Sequence, residues 1–100
     1  MITKRLKEAR LRAGLSQEKL GILAGIDEAS ASARMNQYEK GKHTPDFNTV
    51  MKFAKVLNIP VPFFYTDDSQ LAEIIITYSL LTENNKKELI KKIKNSISEQ

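Results

Sequence analysis

Apolar residues recur along this chain every three or four positions, which is the spacing of a helix. In the first segment Ile2, Leu6, Ala9 and Ala13 follow this spacing, and Gly14 stands where a helix would stop. No stretch shows the strict alternation of apolar and polar residues that predicts a strand. The pattern therefore predicts an all-α protein.

The second helix is predicted from its ends. Ser16 is a suitable cap for its first turn, and Gly25 is a suitable stop. Between them Leu20, Leu23 and Ala24 are expected to turn inward.

A third helix is predicted after Asp27, which is the favoured cap, although Ser30 is an alternative start. Its inward face is defined by Ala31, Met35 and Tyr38, which fall at i, i+4 and i+7.

Four further helices are predicted downstream. The fourth starts after Asp46, and a short fifth follows Pro62. The sixth covers residues 70–81, and Thr82 caps the last one. The inward face of the fourth helix comprises Phe47, Val50, Phe53, Ala54 and Leu57.

The composition is that of a soluble globular protein, with 41% apolar and 28% charged residues. Its net charge of +4 is unevenly distributed. Residues 1–60 hold eleven Lys and Arg against six Asp and Glu, a charge of +5, whereas residues 61–100 hold five against six. The first half is therefore compatible with a surface that binds a polyanion.

The sequence offers no set of residues suited to catalysis. It contains no Cys, His43 is its one histidine, and no Gly-rich phosphate loop occurs. We therefore expect neither an enzyme nor a metal site, and no cofactor. The amino terminus is charged and lacks a long apolar run, so we expect no membrane association and a cytoplasmic location.

Several residues of the first sixty have the order and near-standard spacing of a known family. They are Arg10, Gly14-Leu15-Ser16-Gln17, Leu20, Gly21, Gly25, Tyr38-Glu39-Lys40-Gly41-Lys42, Pro45 and Phe53-Ala54-Lys55-Val56-Leu57. On these residues, positions 6–60 resemble the phage-repressor and Cro-like helix-turn-helix family, also called the xenobiotic-response-element family. The resemblance implies a lambda-repressor-like bundle that binds double-stranded DNA with its third helix in the major groove.

Two glycines have a mechanical reason to occupy their positions in such a bundle. Gly21 is small enough to let the second and third helices approach closely, and Gly25 allows the positive φ of a tight turn.

The chain departs from the family between Gly25 and Glu39, where it carries about four more residues. Four residues are close to one helical turn of about 3.6 residues, so an added turn would preserve the inward face. Residues 27–30 either extend the third helix or lengthen the turn before it. We favour the longer helix.

The outward face of the third helix is predicted to contact DNA. Amide and hydroxyl side chains can bond to base edges, and Ala can contact a thymine methyl group. Ser32, Ala33 and Gln37 match the family's reading positions, and Asn36 lies on the same outward arc. An ordinary polar surface is the alternative. The residues predicted to read bases are Ser32, Ala33, Asn36 and Gln37.

Phosphate contacts are expected around this helix. The resemblance implies that Gln17 braces the third helix and touches a phosphate, and basic residues after the third helix could hold the backbone. The predicted phosphate-binding residues are Gln17, Arg34, Lys40, Lys42, His43 and Thr44.

The other charges of the first helix have different predicted roles. The resemblance implies a structural ion pair between Arg10 and Glu39. Lys4, Arg5 and Arg12 are expected to form a solvated face.

The last two helices carry more apolar surface than one flank of a small domain readily hides, which predicts a homodimer. Alternatively, these residues pack on Phe63, Phe64, Tyr65 and the fourth helix. The chain is thus divided into a DNA-binding domain, residues 1–66, and a helical hairpin for dimerisation, residues 67–100. The predicted interface residues are Ile74, Tyr78, Ile90, Ile93 and Ile97.

Two functions are consistent with this sequence. The favoured one is a sequence-specific DNA-binding regulator, a repressor that binds an inverted-repeat operator as a homodimer. The alternative is an antitoxin or adaptor that uses the same fold mainly to hold a protein partner.

Overall fold

The computed structural model describes residues 2–99 as six α-helices and one 3-10 helix. No strand occurs among these residues, which confirms the all-α prediction. The outer limits of the two predicted domains, residues 1 and 100, lie outside the described residues. The elements are α1 (Ile2–Arg12), α2 (Gln17–Leu23), α3 (Glu28–Glu39), α4 (Phe47–Leu57), the 3-10 helix (Val61–Tyr65), α5 (Ser69–Ser79) and α6 (Glu83–Ser98).

The starts of three helices are capped as the sequence predicts. The side chains of Ser16, Asp46 and Thr82 each accept a hydrogen bond from the backbone N–H three residues on, at 3.0, 2.8 and 3.2 Å. Each bond satisfies a donor that the helix itself leaves unpaired. Asp27 also occupies the predicted position before α3, but its side chain makes no capping bond.

The core lies where the first four helices meet the 3-10 helix. Ala72 of α5 belongs to the same cluster, so α5 begins against this core. The largest apolar residues that are fully buried are Leu6, Leu20, Met35, Val50, Phe53, Phe63 and Phe64.

Gly21 brings α2 and α3 close together. A Cβ atom at this position would lie 3.0 Å from the Cβ of Ala31 and 3.1 Å from the Cγ of Met35. Gly25 ends the turn after α2 with φ +92°, a conformation that other residues rarely adopt. Both glycines therefore have the predicted roles.

Two residues expected to face inward are exposed. Leu23 is 48% exposed. Because α2 approaches α3 most closely at Gly21, the buried face of α2 consists of Leu20, Gly21 and Ala24. Leu23 projects well away from that face, at about 100° of rotation per residue. Phe47, the first residue of α4, is 57% exposed. The centre of its ring lies 6.4 Å from the centre of the Tyr65 ring.

The prediction of a solvated Arg5 is wrong. This side chain is 2% exposed, and its Nε donates to the backbone oxygen of Thr66 at 2.9 Å. Its Nη atoms donate to Glu8 at 3.0 Å and to Ser69 at 3.4 Å, and its guanidinium lies 5.8 Å from the ring centre of Phe63. Arg5 therefore joins α1 to the segment that leads into α5.

The last two helices are largely exposed. Of their described residues, only Ala72 is buried. One contact between them is the Lys86 ammonium, which lies 5.0 Å from the ring centre of Tyr78. All five predicted interface residues, Ile74, Tyr78, Ile90, Ile93 and Ile97, are exposed. The alternative raised by the sequence, packing on the core, is met in part, because Ile75 and Ile76 of α5 pack against the core cluster that contains Phe63 and Phe64.

Candidate nucleic-acid interface

The third helix is long because it begins early. It runs for 12 residues and starts at Glu28, directly after Asp27. Residues 28–30 thus belong to the helix, which confirms the longer helix predicted from the four extra residues. The additional turn extends the amino-terminal end of α3.

One side of α3 is held in the core. Ala31 and Met35 are fully buried, and the half-buried Tyr38 packs edge-on against Phe53 with ring centres 6.1 Å apart. The helix is therefore fixed in rotation about its own axis.

The remaining side of α3 carries the predicted contact residues. Ser32, Ala33 and Arg34 are exposed, and Asn36 and Gln37 are half-buried at the edge of this surface. The predicted inward and outward faces of α3 are thus both observed.

A buried ion pair ties α1 to the last residue of α3. The Nε and Nη2 atoms of Arg10 donate to the two carboxylate oxygens of Glu39, at 2.6 and 3.0 Å. The Nη1 atom of Arg10 donates to the backbone oxygen of Leu15 at 2.9 Å. The bond to Glu39 and its charge raise the pKa of Arg10, although burial opposes this. The ion pair expected from the family resemblance is present.

Gln17 links the start of α2 to the last turn of α3. Its amide nitrogen donates to Oδ1 of Asn36 at 3.4 Å and to Oε1 of Glu39 at 3.2 Å. The predicted bracing contact is therefore present. A phosphate contact by the same amide group would have to replace one of these two bonds.

The predicted residues at the carboxyl end of α3 meet at one cleft. Arg34, Gln37, His43 and Thr44 line a cleft of about 250 Å³ together with Tyr38. The loop is held there by the backbone N–H groups of residues 42 and 43, which donate to the backbone oxygen of Gln37 at 2.9 and 3.4 Å. Lys40 and Lys42 are exposed and do not line this cleft.

A second cleft identifies residues that the sequence interpretation missed. Arg34 also borders a cleft of about 250 Å³ between α3 and α4, whose far wall includes Thr49 and Lys52. The charge of Lys52 was visible in the sequence, but its position opposite Arg34 depends on how α4 packs. Asp27 also lines this cleft.

Within residues 2–99, no three His, Cys, Asp or Glu side chains are grouped so that they could hold a metal ion. None of the described helices is both long and apolar enough to cross a membrane.

Comparisons with known proteins agree with this geometry. A family profile described as Helix-turn-helix matches residues 6–64. Uncharacterised HTH-type transcriptional regulators of Sinorhizobium medicae and Rhizobium meliloti are each 35% identical to this chain over 63 residues. The match covers 63% of this chain and 42% of each relative, so the chain spans under half of their length.

A similar solved structure extends the likeness beyond the matched domain. The crystal structure of the transcriptional regulator BswR is 49% identical in sequence and superposes with a TM-score of 0.89. The superposition covers 95% of this chain and 94% of that one, so the likeness includes both carboxy-terminal helices. The chain therefore belongs to the xenobiotic-response-element type of helix-turn-helix family, a family of DNA-binding transcriptional regulators.

Proposed function

We propose that this protein is a sequence-specific repressor that occupies an inverted-repeat operator as a homodimer, in the cytoplasm and without a cofactor. The observation that carries this proposal is α3, whose apolar side is locked in the core while its polar side faces outward beside basic residues. Such a helix fits the width of the major groove. Repression by occupancy needs only a surface that binds the operator tightly.

The proposed reading surface combines two kinds of contact. Ser32, Ala33, Asn36 and Gln37 face the base edges, where hydroxyl and amide groups discriminate between bases. Around them, Arg34, His43 and Thr44 at one cleft and the exposed Lys40 and Lys42 contact phosphates. Phosphate contacts set the register of the helix, and base contacts supply specificity.

The size of the exposed surface supports the homodimer. A compact monomer of 11.3 kDa would expose about 5,700 Å². This chain exposes 6886 Å², roughly 1,200 Å² more than that expectation. A standard interface buries about 800 Å² of each partner, so the excess is of the size that a dimer would cover. The radius of gyration, 15.9 Å against about 13 Å for a compact chain of this length, agrees with a projecting hairpin.

The location of the apolar residues indicates which surface would be covered. Ile90, Ile93 and Ile97 recur on one side of α6, and Ile74 and Tyr78 recur on α5. We assign the hairpin of residues 67–100 to dimerisation and residues 1–66 to DNA binding. Two-fold symmetry would then present two copies of α3 to half-sites about one DNA turn apart, or a multiple of it.

The proposal is tested by fluorescence anisotropy with DNA from immediately upstream of the protein's own gene and with a shuffled duplex, over a range of salt. Affinity for the upstream DNA that exceeds that for the shuffled duplex by about 10³ or more supports an autoregulating repressor. Equal binding to both, with a steep dependence on salt, would instead indicate attraction by charge without readout of sequence. Absence of binding to either would favour a protein partner for the apolar hairpin.

A further inference from the structure

Two clefts follow one another along the same side of α3. The first, which we call the α3–α4 cleft, has Ser30 and Arg34 of α3 on one wall and Lys52 of α4 on the other. The second lies at the carboxyl end of α3, where Arg34 meets His43 and Thr44. Arg34 therefore stands between two clefts, of which only the second has a proposed role.

The α3–α4 cleft opens on the flank of α3 that faces away from α2. At about 100° of rotation per residue, Ser30 lies about 60° from Ala33, a residue at the middle of the outward face. Asn36 lies about 60° from Ala33 in the other direction, and Gln17 of α2 donates to Asn36. The helices α2 and α4 therefore border opposite flanks of the outward face.

A helix in the major groove has one phosphate backbone on each side. The groove is about 12 Å wide and a helix with its side chains is about 10 to 12 Å across, so both flanks of α3 approach a backbone. The phosphate contact proposed for Gln17 belongs to one flank. The α3–α4 cleft faces the backbone on the other flank.

The charges in the α3–α4 cleft suit an anion. Arg34 and Lys52 supply two positive charges against the one negative charge of Asp27, and all three side chains are exposed. Within residues 2–99 neither Arg34 nor Lys52 forms an ion pair. Lys52 lowers the pKa of Asp46 without pairing with it. Both cations are therefore available to a phosphate.

We propose that the α3–α4 cleft binds a phosphate of the DNA backbone, with Lys52 and Arg34 as its cationic contacts and Ser30 as a hydroxyl donor. This inference rests on the proposed function, because that function places α3 in the major groove. Arg34 then lies between two neighbouring phosphates of one strand. Asp27 weakens the contact, because its carboxylate makes no capping bond and repels the same phosphate.

The test is fluorescence anisotropy with the upstream and shuffled duplexes over a range of salt, using wild type and Lys52→Met. Loss of one hydrogen bond between charged groups should weaken binding to both duplexes by about tenfold. The slope of log K against log salt should fall in magnitude by about 0.9, because one phosphate fewer is neutralised. Lys52→Arg keeps the charge and should keep the wild-type slope.

Lys55→Met is the matched control for the loss of charge. Lys55 is an exposed lysine about one turn further along α4, and it borders a different cleft with Asn58 and Pro60. This variant loses the same charge from the same helix and should keep the affinity and slope of wild type. Thermal unfolding of each variant identifies any that fails to fold.

Asp27→Asn tests the cleft with the opposite sign of charge and does not depend on the folding of a Lys52 variant. Removal of the carboxylate should strengthen binding to both duplexes. The gain should shrink as the salt concentration rises, because salt screens the repulsion.

Two outcomes overturn the inference. One is a Lys52→Met variant that behaves like Lys55→Met, and the other is an Asp27→Asn variant that binds no more tightly than wild type. In either case a wild-type preference for the upstream duplex leaves the proposed function standing. Equal binding of both duplexes by wild type, with both predicted shifts, supports the cleft contact but not sequence readout. Absence of binding to either duplex contradicts both proposals.

Discussion

The guanidinium of Arg10 holds both carboxylate oxygens of Glu39, which joins the first helix to the last residue of α3. The side chains of the pair are 10% and 3% exposed, so neither charge has ready access to water. The carboxyl end of α3 is therefore fixed from the side opposite to its exposed face.

Replacement of Arg10 should destabilise the protein severely. Arg10→Met leaves Glu39 buried without its partner, which costs about 3 to 5 kcal/mol in the free energy of unfolding. Urea denaturation measures this loss, with Arg12→Met as the control because Arg12 lies exposed on the same helix. The double variant Arg10→Met with Glu39→Met should recover part of the loss. A loss below about 1 kcal/mol in the single variant would contradict a buried pair.

Arg5 should contribute to stability through the segment after the 3-10 helix. Arg5→Ala removes the donor to the Thr66 carbonyl and the contacts with Ser69 and Phe63. We expect a loss of about 1.5 to 3 kcal/mol in the free energy of unfolding, the range for hydrogen bonds from a charged group. Lys4→Ala, which alters an exposed neighbour, should change stability little. Equal effects of the two substitutions would show that the Arg5 contacts are unimportant.

A charge on the apolar side of α6 should separate the proposed dimer. Because a two-fold interface contains every residue twice, Ile93→Lys introduces two positive charges into it and should convert the dimer to a monomer. Light scattering coupled to size-exclusion chromatography measures the mass. Asn95→Lys adds the same charge about 200° around the helix from Ile93, so this variant should still have the mass of a dimer. A wild-type protein with the mass of one chain would contradict the homodimer.

The cap of α4 should make a pH-dependent contribution to stability. Hydrogen bonds from Thr49 hold the pKa of Asp46 below its ordinary value of 3.8, and Lys52 lowers it further. Because the folded pKa is the lower one, the stabilisation is present above about pH 3.8 and is lost as the pH falls through the folded value. Asp46→Asn keeps a capping oxygen but does not titrate.

The difference in Tm between wild type and Asp46→Asn should therefore be largest near neutral pH and should shrink in acid. Glu73→Gln, which changes an exposed carboxylate on α5, serves as the control for general charge effects. A difference that is constant with pH would contradict a role for the ionised carboxylate.

The sequence was sufficient to predict features that depend on neighbours along the chain. Ala31, Met35 and Tyr38 keep one phase through α3, so the spacing of these residues predicts its inward face. The extra turn is favoured because the chain carries about four more residues than the family between Gly25 and Glu39. Ser16 and Thr82 begin their helices through bonds that span three residues. Such local relationships are contained in the order of residues.

Features that depend on distant parts of the chain could not be predicted in this way. Arg5 is buried because it meets Thr66 and Ser69, which are 61 and 64 positions away. Lys52 faces Arg34 only because α4 packs beside α3. The Arg10–Glu39 pair is also distant in sequence, and it was predicted from family resemblance rather than from spacing.

Readout of DNA sequence by the outward face of α3 is the proposal on which the others depend. It is tested by comparing wild type and Gln37→Ala in selection from a randomised double-stranded DNA library. We predict that the wild-type protein enriches an inverted repeat with half-sites about 10 to 10.5 base pairs apart, or a multiple of that spacing. Gln37→Ala should lose preference at one symmetry-related pair of positions and keep the others. Enrichment of no motif by wild type, or the same motif unchanged in Gln37→Ala, would contradict the proposal.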